Sequence, residues 1–354
     1  MLTAKPRFPI RELLLYGWLP SPLKKLLYRL KGYRIEKGVR LPLGSVLIGT
    51  NVDVGRGTEL GYFSFVRGRT IRIGAHVQIG SISIIDTPHI EIGDGTKINE
   101  QVFIGGLQFP DSRLVIGRNC QIMQMTFLNP TRSIVIGDDT GIGGDCLLFG
   151  HTSWLSRFEG YPVEFESIEI GKSVSVAWRV FVLPGTRIGD GAVIGANSLV
   201  RGTIPPRCLA VGFPARVVAK EPEFPRVLSA ADRENILREV VDEFVSRLEG
   251  EGISCLRNGD SVVTESVKGR WRRRRVQQTL YVARGALDRA AMEQADVVVS
   301  LQRIPGETRS RITQRGAMWL DLEAKERSEI GNDLGEETVS HFRRHGVRFF
   351  RITN

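Results

Sequence analysis

The chain has 354 residues and a mass of 39.4 kDa, with 42% hydrophobic residues, a formal net charge of +10 and four cysteines. That length and apolar content exclude a peptide ligand, a disulfide-stapled miniprotein and a wholly disordered chain. None of Cys120, Cys146, Cys208 and Cys255 stands in a C-x-x-C pair. No apolar run reaches the roughly 18 residues of a spanning helix, and the start lacks the pattern of a secretory signal. A cytoplasmic location is the expectation.

Residues 1–45 come first, as an N-terminal amphipathic helical cap. Residues 1–40 carry ten Lys or Arg and only Glu12 and Glu36 as acids. Ile10, Leu13, Leu14 and Trp18, then Leu23, Leu26, Leu27 and Leu30, recur at three and four. Gly17 and the Pro20–Pro22 pair divide them into two short helices. Such helices can cover the end of a repeat array. Being basic, they can also lie on anionic lipid, at the inner face of a membrane.

From 46 to 200 the chain repeats with a period of six, in a domain that runs from 46 to 220. Ile170, Val176, Val182, Ile188, Ile194 and Val200 fall six apart; so do Ile48, Val54, Leu60 and Val66; so do Ile136, Ile142 and Leu148. A small residue usually follows. A period of six fits neither the helix nor the simple strand. It predicts a triangular β-solenoid: each hexapeptide makes a short strand and a corner, and three make one coil. One aliphatic per face points inward, and coils stack by strand pairing. The register breaks between Leu128 and Ile136 (eight residues) and between Leu148 and Ile170 (22 residues). Extra residues must loop outward, and loops on a rigid scaffold carry function. The larger excursion, Phe149 to Ile168, holds His151, the only histidine between His89 and His341.

Residues 45–220 resemble the left-handed β-helix, hexapeptide-repeat acyltransferases, most closely the sugar and cell-envelope O-acetyltransferases. The repeat carries the resemblance, together with Gly150-His151-Thr152-Ser153-Trp154 and the run from Val180 to Lys220 containing Gly212 to Val218. It implies a homotrimer that takes acetyl-CoA in the groove between subunits and passes the acetyl group to a sugar or nucleotide-sugar hydroxyl. The alternatives are N-acetylation of an amino sugar and a catalytically inactive scaffold. His151 matches the family histidine. Its imidazole suits a general base toward a hydroxyl, and a corner N–H suits the developing oxyanion. Glu164 or Glu166 is expected to orient it. Trp178, Arg179, Arg201, Arg216 and Lys220 are candidates for CoA, since guanidinium groups match phosphate geometry. Gln124, Asn129, Trp154 and Arg157 are candidates for the acceptor. The chain departs from the family where an Asn is usual, showing Met123 or Met125, and where the usual N-V-W-I-G reads Ser173 to Ala177. His76 and His89 show no ligand spacing, and no metal centre is expected.

Residues 221–250 read as a linker followed by an amphipathic helix, with Ser229 as N-cap and Asp232 as its reciprocal acid. The apolar face of that helix is wide enough to dock on the solenoid or on symmetry mates. The period of six then ends. Strands are expected at 276–283, 296–301 and 347–352, and helices at 287–295 and 336–345, in a small α/β or α+β domain over 251–354. His341 and His345 share a helical face beside Arg343 and Arg344, which reads as a surface cluster. The run Lys268–Arg275 is the densest basic stretch, but no reading element accompanies it and no nucleic acid is expected.

Overall fold

The computed structural model describes residues 9–268, 274–285, 287–329 and 331–352. Most of the basic run at 268–275 lies outside the described residues. The chain divides into two compact units, 1–227 and 228–354.

The first unit is a three-faced parallel solenoid. Its sheets hold nine strands (Arg34–Ile35 through Thr203–Ile204), nine strands (Glu59–Leu60 through the hairpin Cys208–Gly212 and Ala215–Lys220) and eight strands (Val46–Ile48 through Leu199–Val200). We call these the first, second and third faces. Each coil visits them in that order, and each strand pairs in register with the coil above and below. Ile98, for example, pairs with Ile79 and Ile122. The six-spaced aliphatics form the buried columns of one continuous core. Burying each is worth roughly 1.5–3 kcal/mol before the entropy of ordering is set against it. One column position shifts: Leu47, not Ile48, pairs with Val66 and is buried.

The corners obey a rule that the period alone does not reveal. Between the second and third faces, Phe63, Ile82, Gln101, Met125, Asp145, Arg179 and Asn197 all have positive φ. Between the first and second faces, His76, Asn119, Asp139 and Ser173 do the same. Behind these corners stand columns of small buried groups that bond to the next coil. Thr58 Oγ1 donates to Gly74 O and accepts from Val77 N; Thr126 Oγ1 donates to Gly143 O. Cys120 and Cys146 occupy such positions, with Sγ 3.1 Å from Gly137 O and Ala177 O respectively. These thiols are buried, as their coil positions imply.

The N-terminal residues Ile10–Glu12 and Leu13–Gly17 lead into a helix over Ser21–Leu30. That helix closes the first coil with polar groups. Lys24 Nζ donates to Pro42 O (2.5 Å) and Ser45 O (3.0 Å); Tyr28 Oη accepts from Leu47 N; Tyr33 Oη bridges Gly49 N and O. Ile10, Leu14, Leu15 and Trp18, ahead of that helix, and Leu30, at its end, are exposed. Among the described residues, no helix is long and apolar enough to cross a membrane.

The second unit is a seven-stranded mixed sheet, running in chain order from Ser254–Asn258 to Phe350–Ile352. The helix Ala230–Gly250 opens on a capping box, with Ser229 accepting from Asp232 N and Asp232 accepting from Ser229 N. Its apolar face, Leu237 to Leu248, packs into the core of this unit against Val262, Leu280 and Val297. Docking on the solenoid is therefore not needed to bury it. Sequence reading located the strands near 274–283, 297–300 and 350–352. It missed the hairpin Ser254–Asn258/Ser261–Lys268, the helix Gly306–Gln314 and the strand Met318–Asp321. His341 is not on the surface: its side chain is packed between Phe244 and His345.

Candidate active site

Every outward loop of the solenoid between residues 105 and 167 leaves from one edge, between the third and first faces. The longest leaves Leu147–Phe149 and returns at Ile168–Ile170. Those strands lie on consecutive faces, so the whole excursion occupies a single corner. Its root is a short two-stranded ladder. His151 bridges Phe165, Thr152 N donates to Glu164 O (3.1 Å), and Glu166 N donates to Gly150 O (3.0 Å). Its tip is a single turn, Arg157–Glu159, ended by Gly160 at φ +85°. Trp154, Leu155, Phe158 and Tyr161 are all exposed there.

His151 sits at the foot of this loop and is 8% exposed. Phe149 meets its ring edge-on at 5.8 Å, Trp154 lies 5.7 Å away, and Phe165 closes the third side at 6.5 Å. Burial holds its pKa below the ordinary imidazole value. The ring is therefore neutral at pH 7. Ser153 is its polar partner: the Ser153 backbone N–H donates to Nδ1 at 3.2 Å, and Ser153 Oγ lies 3.0 Å from the same nitrogen. Nδ1 can accept the first bond, or carry the proton and donate to Oγ. The second arrangement leaves a lone pair on Nε2.

Of the residues singled out from sequence, Glu164, Glu166, Trp154, Arg157 and Asn129 lie at this edge. Glu164 is half-buried and Glu166 exposed, on either side of Phe165. What ties them to the site is backbone pairing at the loop root, and Ser153 provides the imidazole's hydrogen-bonding partner. Asn129 is buried one coil earlier, where its carbonyl accepts from Gly150 N at 3.0 Å and its Oδ1 from Thr131 Oγ1. Arg201 is exposed on the same edge, two coils further on. The others lie elsewhere. Gln124 accepts from Asn99 Nδ2 (3.3 Å) at the second-to-third corner. That corner also carries Trp178, stacked over Gly144, and Arg179, paired with Asp145. Arg216 and Lys220 are exposed on the closing hairpin of the second face.

One element escaped the sequence reading. The segment between Phe103–Ile104 and Arg113–Ile116 is a second loop on the same edge. Phe109 from it packs edge-on against Phe165, with the Arg132 guanidinium 4.0 Å over its ring. The signal was present: Ile104 and Ile116 are 12 residues apart, twice the period. Beside the two loops runs a polar groove of about 820 Å³ lined by Asp111, Arg113, Arg132, Glu166, Glu169 and Arg187.

No family model matches the chain. It is similar to WbbJ of Escherichia coli (strain K12), named for a lipopolysaccharide biosynthesis O-acetyl transferase: 34% identical over 113 residues, 29% of this chain and 58% of that protein. It is also 35% identical over 146 residues to galactoside O-acetyltransferase of the same strain, covering 38% of this chain and 66% of that one. The chain thus spans between half and two thirds of the length of these curated relatives. They are acetyltransferases, as the motif resemblance implies. A solved galactoside acetyltransferase in complex with coenzyme A aligns over 62% of this chain and 84% of its own, at 18% identity and a TM-score of 0.27. A likeness that low adds nothing to the fold described above.

Proposed function

We propose that this chain, a triangular solenoid similar in sequence to O-acetyltransferases, moves an acetyl group from acetyl-CoA to a hydroxyl of a sugar or glycan precursor. The left-handed coil sense belongs to this reading. The observation that carries it is His151: a neutral, buried imidazole at the root of the longest loop, walled by aromatic rings and, among the described residues, hydrogen-bonded through its ring to Ser153. A sugar hydroxyl is a weak nucleophile at neutral pH. In the tautomer that exchanges the Ser153 N–H···Nδ1 bond for an Nδ1–H···Oγ bond to the same residue, His151 Nε2 takes its proton as the hydroxyl oxygen attacks the thioester carbonyl. A corner N–H holds the charge that develops on the carbonyl oxygen. Collapse breaks the carbon–sulfur bond, and the imidazolium returns the proton to the departing thiolate. Glu164 and Glu166 keep the loop root in place, and Asn129, Trp154 and Arg157 face the acceptor.

The candidate residues for CoA argue for more than one copy. Trp178 and Arg179 occupy a different edge from His151, so one chain does not bring them together. The same edge exposes Tyr62, Phe63, Ile82 and Met125. We infer a homotrimer in which that apolar edge is covered and a neighbour completes each site. Arg201, Arg216 and Lys220 then meet the phosphates of CoA.

The N-terminal helices fit an anionic membrane surface. Ile10, Leu14, Leu15 and Trp18 are exposed within residues 1–40, where ten Lys or Arg stand against two acids. Vesicles containing an acidic phospholipid should pull the protein down, and neutral vesicles should not. Leu14→Ser with Trp18→Ser should abolish the effect; no binding to acidic vesicles at low salt would remove this part of the reading.

The enzyme test is direct. Purified protein is incubated with labelled acetyl-CoA and a panel of sugars, amino sugars and nucleotide-sugars. Label in an ester supports the reading, label in an amide moves it to N-acetylation, and no transfer with no CoA binding identifies a scaffold.

A further inference from the structure

The second unit holds a group of side chains that acyl transfer does not use. Glu243 comes from the helix Ala230–Gly250; His341 and His345 come from the helix Asp333–Arg344 and its C-cap. One ligand atom from each lies within 4.8 Å of the others. Glu243 and His345 are exposed, with the carboxylate Oε2 3.2 Å from His345 Nε2. His341 is 3% exposed.

The hydrogen bonding of His341 is what singles out this cluster. Its Nε2 lies 2.9 Å from Val240 O. A carbonyl oxygen only accepts, so Nε2 carries the proton and Nδ1 presents its lone pair. Nδ1 is buried and has no hydrogen-bond partner among the described residues. An unpaired buried acceptor is costly, and native structures rarely leave one without a reason. A metal-binding histidine is usually built this way, with one ring N–H fixed by a backbone carbonyl so that the other nitrogen points at the ion. The i, i+4 spacing puts His345 on the same side of its helix. We propose that Glu243, His341 and His345 bind a divalent transition ion of the zinc class, with water completing the coordination.

The geometry needs little adjustment. Adjacent ligands around a tetrahedral ion with bonds of about 2.0–2.1 Å stand roughly 3.3–3.4 Å apart. The Glu243–His345 pair is already close to that at 3.2 Å. Because both are exposed, they can close on the fixed His341 nitrogen without disturbing the core. Two imidazoles and one carboxylate suit Zn²⁺ over Mg²⁺ or Ca²⁺, which prefer oxygen ligands.

Zn²⁺ titration of the chelator-treated full chain tests this, followed by calorimetry and by melting temperature. One Zn²⁺ per chain should bind at micromolar concentration and raise the melting temperature of the second unit. Glu243→Gln and His345→Gln change exposed side chains, so both should fold, and each should weaken that binding at least about tenfold. Co²⁺ in place of Zn²⁺ should give a tetrahedral visible spectrum in the wild type and not in His345→Gln. Binding unchanged in both variants, or no binding at micromolar Zn²⁺, overturns the site. In the second case the cluster is an ion pair over a buried histidine. Acetyl transfer by His151 is read separately, so failure of either assignment leaves the other standing.

Discussion

At the scale of single residues, the proposed chemistry rests on an imidazole kept neutral and aimed. His151→Ala should lower kcat by at least about 100-fold, the usual contribution of a general base, with little change in melting temperature. A variant keeping more than about a third of wild-type kcat, with chemistry limiting, would falsify the assignment. Ser153→Ala should cost about tenfold in kcat with KM unchanged. The loss is that of one hydrogen bond to a group that becomes charged, about 1.5 kcal/mol; Ser153→Thr should restore it. If KM moves and kcat does not, Ser153 binds substrate and does not orient the base. The pH dependence has a fixed sign. Burial lowers the pKa of His151, and burial first of all lowers that of His341. The unfolded chain therefore binds more protons as pH falls below about 6.5, the ordinary histidine value. Stability from both groups is present above that pH and lost as pH falls from it toward the folded values, and the acid limb of kcat should lie below it too. Stability measured across pH 5–8 should show that slope, weakened in His151→Asn. The place of His151 at the foot of the longest loop was legible in the sequence because a lone histidine marked a break in a strict period. Ser153 was not, because its role depends on how the loop turns back, which spacing does not encode.

At the scale of elements, the repeat was readable because each coil solves the same packing problem. Ile98, Ile122 and Ile142 stack in register with nowhere to relax. Ile122→Ala should cost about 2–5 kcal/mol, seen as a lower denaturation midpoint with the fold retained. The corners were less legible. A left-handed turn normally calls for Gly or Asn, yet Ile82 holds φ +59°. An L-residue pays roughly 1–2 kcal/mol there, more readily expected at a site under another constraint. Ile82→Gly separates two roles. It should relieve the backbone within one chain while weakening association, so the trimer dissociates at lower dilution. If association is unchanged, this edge is not the interface. The loop at 105–112 was missed because a gap of two periods still looks periodic. The second unit was half legible, since its buried strands are short apolar runs that sequence cannot separate from helix by period alone.

At the scale of the whole molecule, the proposed site needs two edges of the prism, so activity and assembly should be inseparable. Sedimentation equilibrium should show a mass near three chains, and a stable mass near 39.4 kDa at micromolar concentration counts against the trimer. A parallel solenoid also has two ends, and each end is a row of backbone groups with no coil beyond it. At one end the antiparallel hairpin Cys208–Gly212/Ala215–Lys220 turns the chain back on itself. At the other, Lys24, Tyr28 and Tyr33 answer Pro42, Ser45, Leu47 and Gly49. Burial lowers the pKa of Lys24 to about 8, so the ammonium is largely charged at neutral pH while it donates to those carbonyls. An uncovered coil is a template that any parallel strand can extend. Lys24→Ala with Tyr28→Ala should therefore leave a solenoid that grows end to end. Light scattering and electron microscopy should show filaments appearing with protein concentration, and a variant that stays dispersed would mean the first coil satisfies itself. The helix that covers this end thus also fixes the protein's length, as the stopper that keeps a repeating strand from polymerising.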